Sequence, residues 1–172
     1  MRRGYIQVYT GNGKGKTTAA LGLVMRAAGA GLKVFIVQFV KKKICSEHRM
    51  LERFGDLVTM RQHGKGFILK RKANRSDIEA ARAGLDEVRE AMRSKKYDVV
   101  ILDEANVAVK CGLMRADDLL ELISVKPANV ELVITGRYAD ERVLQAADLV
   151  TEMKEVKHYR KKGVRARVGI EY

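Results

Sequence analysis

The chain has 172 residues, 47% hydrophobic and 32% charged, with 34 Lys plus Arg against 21 Asp plus Glu and a net charge of +13. That size and balance predict one globular domain over residues 1–172 and exclude a disordered chain. No apolar run reaches the ~20 residues of a membrane span, and no secretory leader pattern opens the sequence.

Tyr5 to Tyr9 reads as a short first strand, and a Gly-rich loop follows. From Thr17, Leu21, Val24, Met25 and Ala28 recur at helical spacing, and Gly29 and Gly31 end that helix. Val34 to Phe39 is an almost unbroken apolar run, the pattern of a strand buried on both faces. Val58 to Gln62 predicts another strand, and Lys65 to Asn74 a basic loop. Ser76, with Glu79 three residues on, predicts a capped helix running to about Ser94. Val99 to Leu102 is a buried strand ending in Asp103 and Glu104. A helix near Ala116 to Ile123, a strand from Glu131 to Thr135, a short helix from Asp140 to Ala146 and a strand near Leu149 to Glu152 follow. Arg165 to Tyr172 alternates like an edge strand. Strands alternating with helices imply right-handed crossovers and a mostly parallel sheet with helices on both faces, an α/β fold. Such sheets bind ligands beyond the carboxyl ends of their strands.

Three segments sit at those ends. The first is Thr10-Gly11-Asn12-Gly13-Lys14-Gly15-Lys16-Thr17-Thr18. Gly15, Lys16 and Thr17 fit the end of a phosphate-binding P-loop, although Thr10 stands where the first Gly belongs. Backbone N–H groups and the following helix N-terminus suit phosphate oxygens. Lys16 suits the terminal phosphates, and the Thr17 hydroxyl suits Mg²⁺. The second is Asp103–Glu104, the form of an acidic metal site: one carboxylate on the ion, the other on a water ligand, or else an ordinary acid pair at a helix start. The third ends in Arg137, which either clamps phosphate, stacks on a base or lies free on the surface.

Other signals are weaker. Cys45-x-x-His48 is half a zinc spacing with no second pair. Cys45 and Cys111 make no CxxC, which favours a reducing cytoplasm. His63 and His158 have no hydrolase-triad partners in view. The bases gathered at 154–167 suit a polyanion, so a nucleic-acid-binding ATPase is the competing reading. With a single aromatic, Tyr159, among 157–162, nucleic acid is not expected as a partner.

Taken together, these motifs resemble the P-loop ATP:corrinoid adenosyltransferases. Tyr9 to Thr18 is similar to that family's P-loop, Thr10 included. So are Val37-Gln38-Phe39, Gly64-Lys65-Gly66-Phe67, Leu102-Asp103-Glu104, Ile134-Thr135-Gly136-Arg137, Ala147 to Met153, Val156-Lys157-His158 and Gly169-Ile170-Glu171-Tyr172. The resemblance implies a RecA-like fold, a homodimer, ATP as co-substrate with Mg²⁺, a reduced corrinoid and an electron-donating reductase. It implies a nucleotide site at Gly11 to Thr18 and Arg137, metal ligation by Thr17 and Glu104 with Asp103 through water, and Phe67 and Leu69 against the lower face of the corrin. Leu69 stands where the family usually has Trp, Lys42 where it often has Gly, and only Met1 to Arg3 stand in the place of a longer N-terminal arm.

Overall fold

The computed structural model describes residues 3–41, 45–66 and 71–172. Six strands form one sheet: β1 (Ile6–Thr10), β2 (Val34–Phe39), β3 (Val58–His63), β4 (Val99–Asp103), β5 (Glu131–Thr135) and β6 (Leu149–Glu152). Their order is β3-β2-β4-β5-β1-β6, and every pairing is parallel. The α/β expectation holds, and this sheet is that of a RecA-like P-loop fold.

The apolar runs explain the layering. Along β2, Val34 and Ile36 pack to one face and Phe35, Val37 and Phe39 to the other. In β4, Val99 and Ile101 oppose Val100 and Leu102 in the same way. Period-two side chains on strands sealed from both sides need apolar residues at every position. On one face lies α1 (Lys16–Gly29), contributing Ala20, Val24, Ala27 and Ala28. On the other lie α3 (Arg75–Arg93), α4 (Ala105–Lys110), α5 (Ala116–Val125) and α6 (Glu141–Gln145), with Leu85, Ala108, Leu119 and Val143 among their core residues. Burying side chains of this kind stabilises by ~1.5–3 kcal/mol each for the larger ones.

Three details differ from expectation. The cap of α3 is Asn74, not Ser76. The Asn74 side chain accepts from the Asp77 N–H at 3.0 Å, and the Asp77 carboxylate accepts from the Asn74 N–H at 3.0 Å. Asn is as good a cap as Ser, and the reciprocal box closes two residues earlier; Ser76 donates to the Asn74 side chain instead. Two six-residue helices, α2 (Ser46–Leu51) and α4, stand where none was expected. Finally, 165–172 is no strand. Gly169 turns at φ 75°, and the Glu171 carboxylate folds back to accept from the Arg167 N–H at 2.7 Å. The sheet therefore ends at β6, whose four residues are all exposed. Among the described residues, no helix is long and apolar enough to cross a membrane.

Candidate active site

Parallel strands deliver all their carboxyl ends to one rim, and the candidate residues meet there. The loop after β1 leads into α1 through Gly15 at φ 117°. Gly11 and Gly13 are glycine for a separate reason: a Cβ on either would lie 2.6 Å from the Met153 carbonyl oxygen, just beyond β6. The loop leans on that backbone, and the Gly13 N–H donates to the same oxygen at 2.5 Å. Lys16 is 7% exposed and donates to the Gly11 and Gly13 carbonyls, each at 2.7 Å. Burial, with Arg137 adding to it, lowers the Lys16 pKa.

Asp103 organises the opposite side. One carboxylate oxygen accepts from the Thr17 hydroxyl at 2.9 Å and from Thr135 at 2.7 Å; the other accepts from the Gln38 amide at 2.8 Å. Gln62 donates to Gln38 in turn, at 2.9 Å, and Thr135 accepts from the Glu104 N–H at 3.0 Å. This chain crosses β3, β2, β4 and β5 and ends on the first turn of α1. It works because Gln38 and Asp103 are register partners. Asp103 is 2% exposed, a buried carboxylate tolerable only because donors meet it on every side.

Glu104 follows in the left-handed region, at φ 61°. Val40 after β2 and Tyr138 after β5 share that conformation, at 69° and 64°. Three strained non-glycine residues at three neighbouring strand ends mark one rim where local geometry is held for a purpose. Burial and the neighbouring Asp103 raise the Glu104 pKa. Lys41 offsets this, with its ammonium 3.9 Å from Glu104 and 3.8 Å from Asp103. A carboxylate pair beside the Thr17 hydroxyl is an all-oxygen donor set suited to a hard divalent cation.

These groups border one cavity of about 450 Å³. Gly13 to Thr18, Glu104 and Arg137 line it. Asp103 stands behind Thr17, and Gly11 and Asn12 are outside the lining. Phe67, Leu69 and Lys42 lie outside the described residues. The structure adds Lys41, Ser46, Glu47, His158 and 169–172, which the spacing arguments missed. Lys41 had a signal, since it lies just past the end of β2, and 169–172 had one only in the family resemblance; Ser46 and Glu47 had none before the fold closed. His158 accepts from the Arg160 N–H at Nδ1, so its neutral form carries the proton on Nε2. Cys45, Glu47 and His48 bring potential ligand atoms within 4.8 Å of one another. There, however, His48 Nδ1 accepts from the Cys45 N–H at 3.0 Å as part of the α2 cap.

A cavity lined by a Gly-rich loop at the start of a helix, a buried lysine and a carboxylate has the features that a nucleoside triphosphate site needs. The model of one family, the ATP:corrinoid adenosyltransferases BtuR/CobO/CobP, matches residues 2–172. The chain belongs to that family. It is 39% identical to the corrinoid adenosyltransferase of Pseudomonas aeruginosa over 171 residues, 99% of this chain and 84% of that protein. The Escherichia coli K12 corrinoid adenosyltransferase is 36% identical, and the Salmonella typhimurium corrinoid adenosyltransferase CobA 35%, each with 99% of this chain and 86% of the relative aligned. The expectation of a transferase that uses ATP and a corrinoid is thereby met.

Proposed function

We propose that the chain, acting as a single nucleotide-binding domain, transfers the 5′-deoxyadenosyl group of ATP to the cobalt of a reduced corrinoid and releases tripolyphosphate. The observation that carries this reading is that Lys16, Thr17, Glu104 and Arg137 all line one cavity.

In this reaction the cobalt(I) electron pair attacks C5′, and the bond from C5′ to its phosphate oxygen breaks. The protein needs no base to activate water or a hydroxyl. It must hold a polyanionic leaving group and keep C5′ in line with cobalt. Lys16 exchanges the Gly11 and Gly13 carbonyls for phosphate oxygens. The N–H groups opening α1 complete the cradle, as helix N-termini do for anions. Arg137, close enough to Lys16 and Glu104 to act on both electrostatically, supplies a second cation to the same cavity. Thr17 and Glu104 would hold Mg²⁺, with Asp103 fixing the Thr17 hydroxyl and reaching the ion through water. Bound there, Mg²⁺ supplies further neutralisation of the departing phosphates. The raised pKa of Glu104 supports this reading, because burial and the neighbouring Asp103 disfavour its charge more than Lys41, Lys16 and Arg137 favour it, and a bound cation would offset that.

The same reading includes Phe67 and Leu69 against the lower face of the corrin, a homodimer, an electron-donating reductase and a cytoplasmic setting. Phosphorus NMR of a reaction with ATP, Mg²⁺ and reduced cobalamin tests the chemistry. Tripolyphosphate should grow in step with adenosylated corrinoid. ADP and orthophosphate appearing without corrinoid would overturn the proposal in favour of an ATPase.

A further inference from the structure

The P-loop carries two lysines that face different partners. Lys16 lies along the loop. Lys14 turns to the C-terminal segment, donating to the Tyr159 hydroxyl at 2.9 Å, a Glu171 carboxylate oxygen at 2.9 Å and the Ile170 carbonyl at 3.1 Å. An ammonium has three protons. All three are committed, and none is left for a phosphate. The Glu171 carboxylate also accepts from the Tyr159 hydroxyl and from Arg167. These bonds, with Arg167 first, hold its carboxyl far below the usual range, and Tyr159 and Glu171 push the Lys14 amine up. Further along, the Ser46 hydroxyl donates to the Tyr172 main-chain oxygen at 3.2 Å, tying the same segment to α2. Residues 169–172 thus line the same cavity as the P-loop and are joined to it at Lys14.

A carboxylate beside a triphosphate cavity is an electrostatic misfit unless it has another task. We propose that Lys14 and Glu171 form a clamp that holds 169–172 as the wall of the nucleotide cavity, so that Lys14 is a positioning residue and not a phosphate ligand. The proposal rests on the ATP reading of the cavity. It also reverses a sign. If Lys14 served the phosphates, Glu171 would only repel ATP, and Glu171→Gln would tighten binding. If the two form a clamp, Glu171→Gln loosens the wall and weakens binding.

The test is calorimetric titration of the full chain with ATP and Mg²⁺, alongside steady-state adenosyl transfer. The Lys14 side chain is 42% exposed. A solvent-screened pair of this kind predicts a rise of roughly 3–5-fold in Kd for Lys14→Met and for Glu171→Gln. KM for ATP should rise with Kd and by more than kcat falls. The double variant should bind no more weakly than the worse single one, because the second change removes nothing further. Trypsin should cut at Arg165 and Arg167 faster in both single variants, a readout that direct phosphate contact would not move. Glu171→Gln binding ATP as tightly as wild type or tighter, or additive losses in the double variant, overturns the clamp alone. A wild-type chain that binds no ATP overturns the nucleotide reading and the clamp together.

Discussion

The acidic end of the cavity and the wall joined to the P-loop are made of different materials. Asp103 is sealed, with Thr17, Thr135 and Gln38 donating to it from three elements. The wall is fastened by exposed pairs: the Lys14 side chain is 42% exposed and that of Arg167 53%. Hydrogen bonds to a buried charge contribute ~1.5–3 kcal/mol each, whereas exposed ion pairs contribute ~0–1 kcal/mol. One end is therefore set once, at folding. The other rests on contacts that solvent screens.

The sharpest way to break the comparison is at Lys16. Lys16→Ala leaves the leaving group without its buried cation and should slow adenosyl transfer by ~10²-fold, with little change in melting temperature. Near-wild-type turnover would remove the P-loop from the chemistry. Next is Asp103→Asn, which turns an acceptor-only group partly into a donor facing three donors. Urea unfolding should show a loss of ~1–3 kcal/mol, against less than ~0.5 kcal/mol for Arg167→Gln in the wall. Equal losses would erase the distinction between the two ends.

Glu104 sharpens it from the other direction. Its folded-state pKa lies above the ordinary 4.5, so folding favours its protonated form. Its contribution to stability is present below pH 4.5 and is lost as pH rises through the shifted value. Without Mg²⁺ at neutral pH, Glu104→Gln should therefore raise the melting temperature, and the gain should vanish below pH 4.5. The same variant should need more Mg²⁺ for turnover. A variant that melts lower at neutral pH would contradict the reading of Glu104 as a carboxylate whose burial costs more than its neighbouring cations return. The smallest effect lies far from the site. Asn74→Ala should cost ~1 kcal/mol through the lost α3 cap. The cap partner Asp77, bonded to Arg71 and to the Asn74 N–H, titrates at about 2 instead of 3.8. Its contribution is present above pH ~4 and is lost as pH falls toward 2. Acid titration of wild type and Asp77→Asn would show the two stabilities converging over that interval.

The strands could be read from the sequence because burial on both faces leaves Val, Ile and Leu almost no alternatives, as in 34–39 and 99–102. Helices α2 and α4 could not, since six residues are too few to display a helical period. The alternation of 165–172 misled for a related reason: on an exposed segment the pattern reflects solvent, and Gly169 with Glu171 turns the chain back. At the site, Lys16, Thr17, Asp103, Glu104 and Arg137 followed from spacing and from their place at strand ends. Glu47 did not, and 169–172 stood out only through the family resemblance, because only chain closure brings either to the loop. Lys14 was expected at the nucleotide; it lines the cavity, and its bonds to Tyr159, Ile170 and Glu171 depend on a C-terminal segment that spacing could not place beside the loop.

The strand order has a consequence for biosynthesis. β1 lies between β5 and β6, so the strand that carries the P-loop has no neighbour until residues after 130 have been made. At ~5–20 residues per second, that leaves an unpaired β1 waiting on the order of ten seconds on the ribosome. Val8, buried in the finished protein, spends that interval uncovered. The nucleotide loop is thus among the earliest parts of the chain to be synthesised and among the last to acquire its shape.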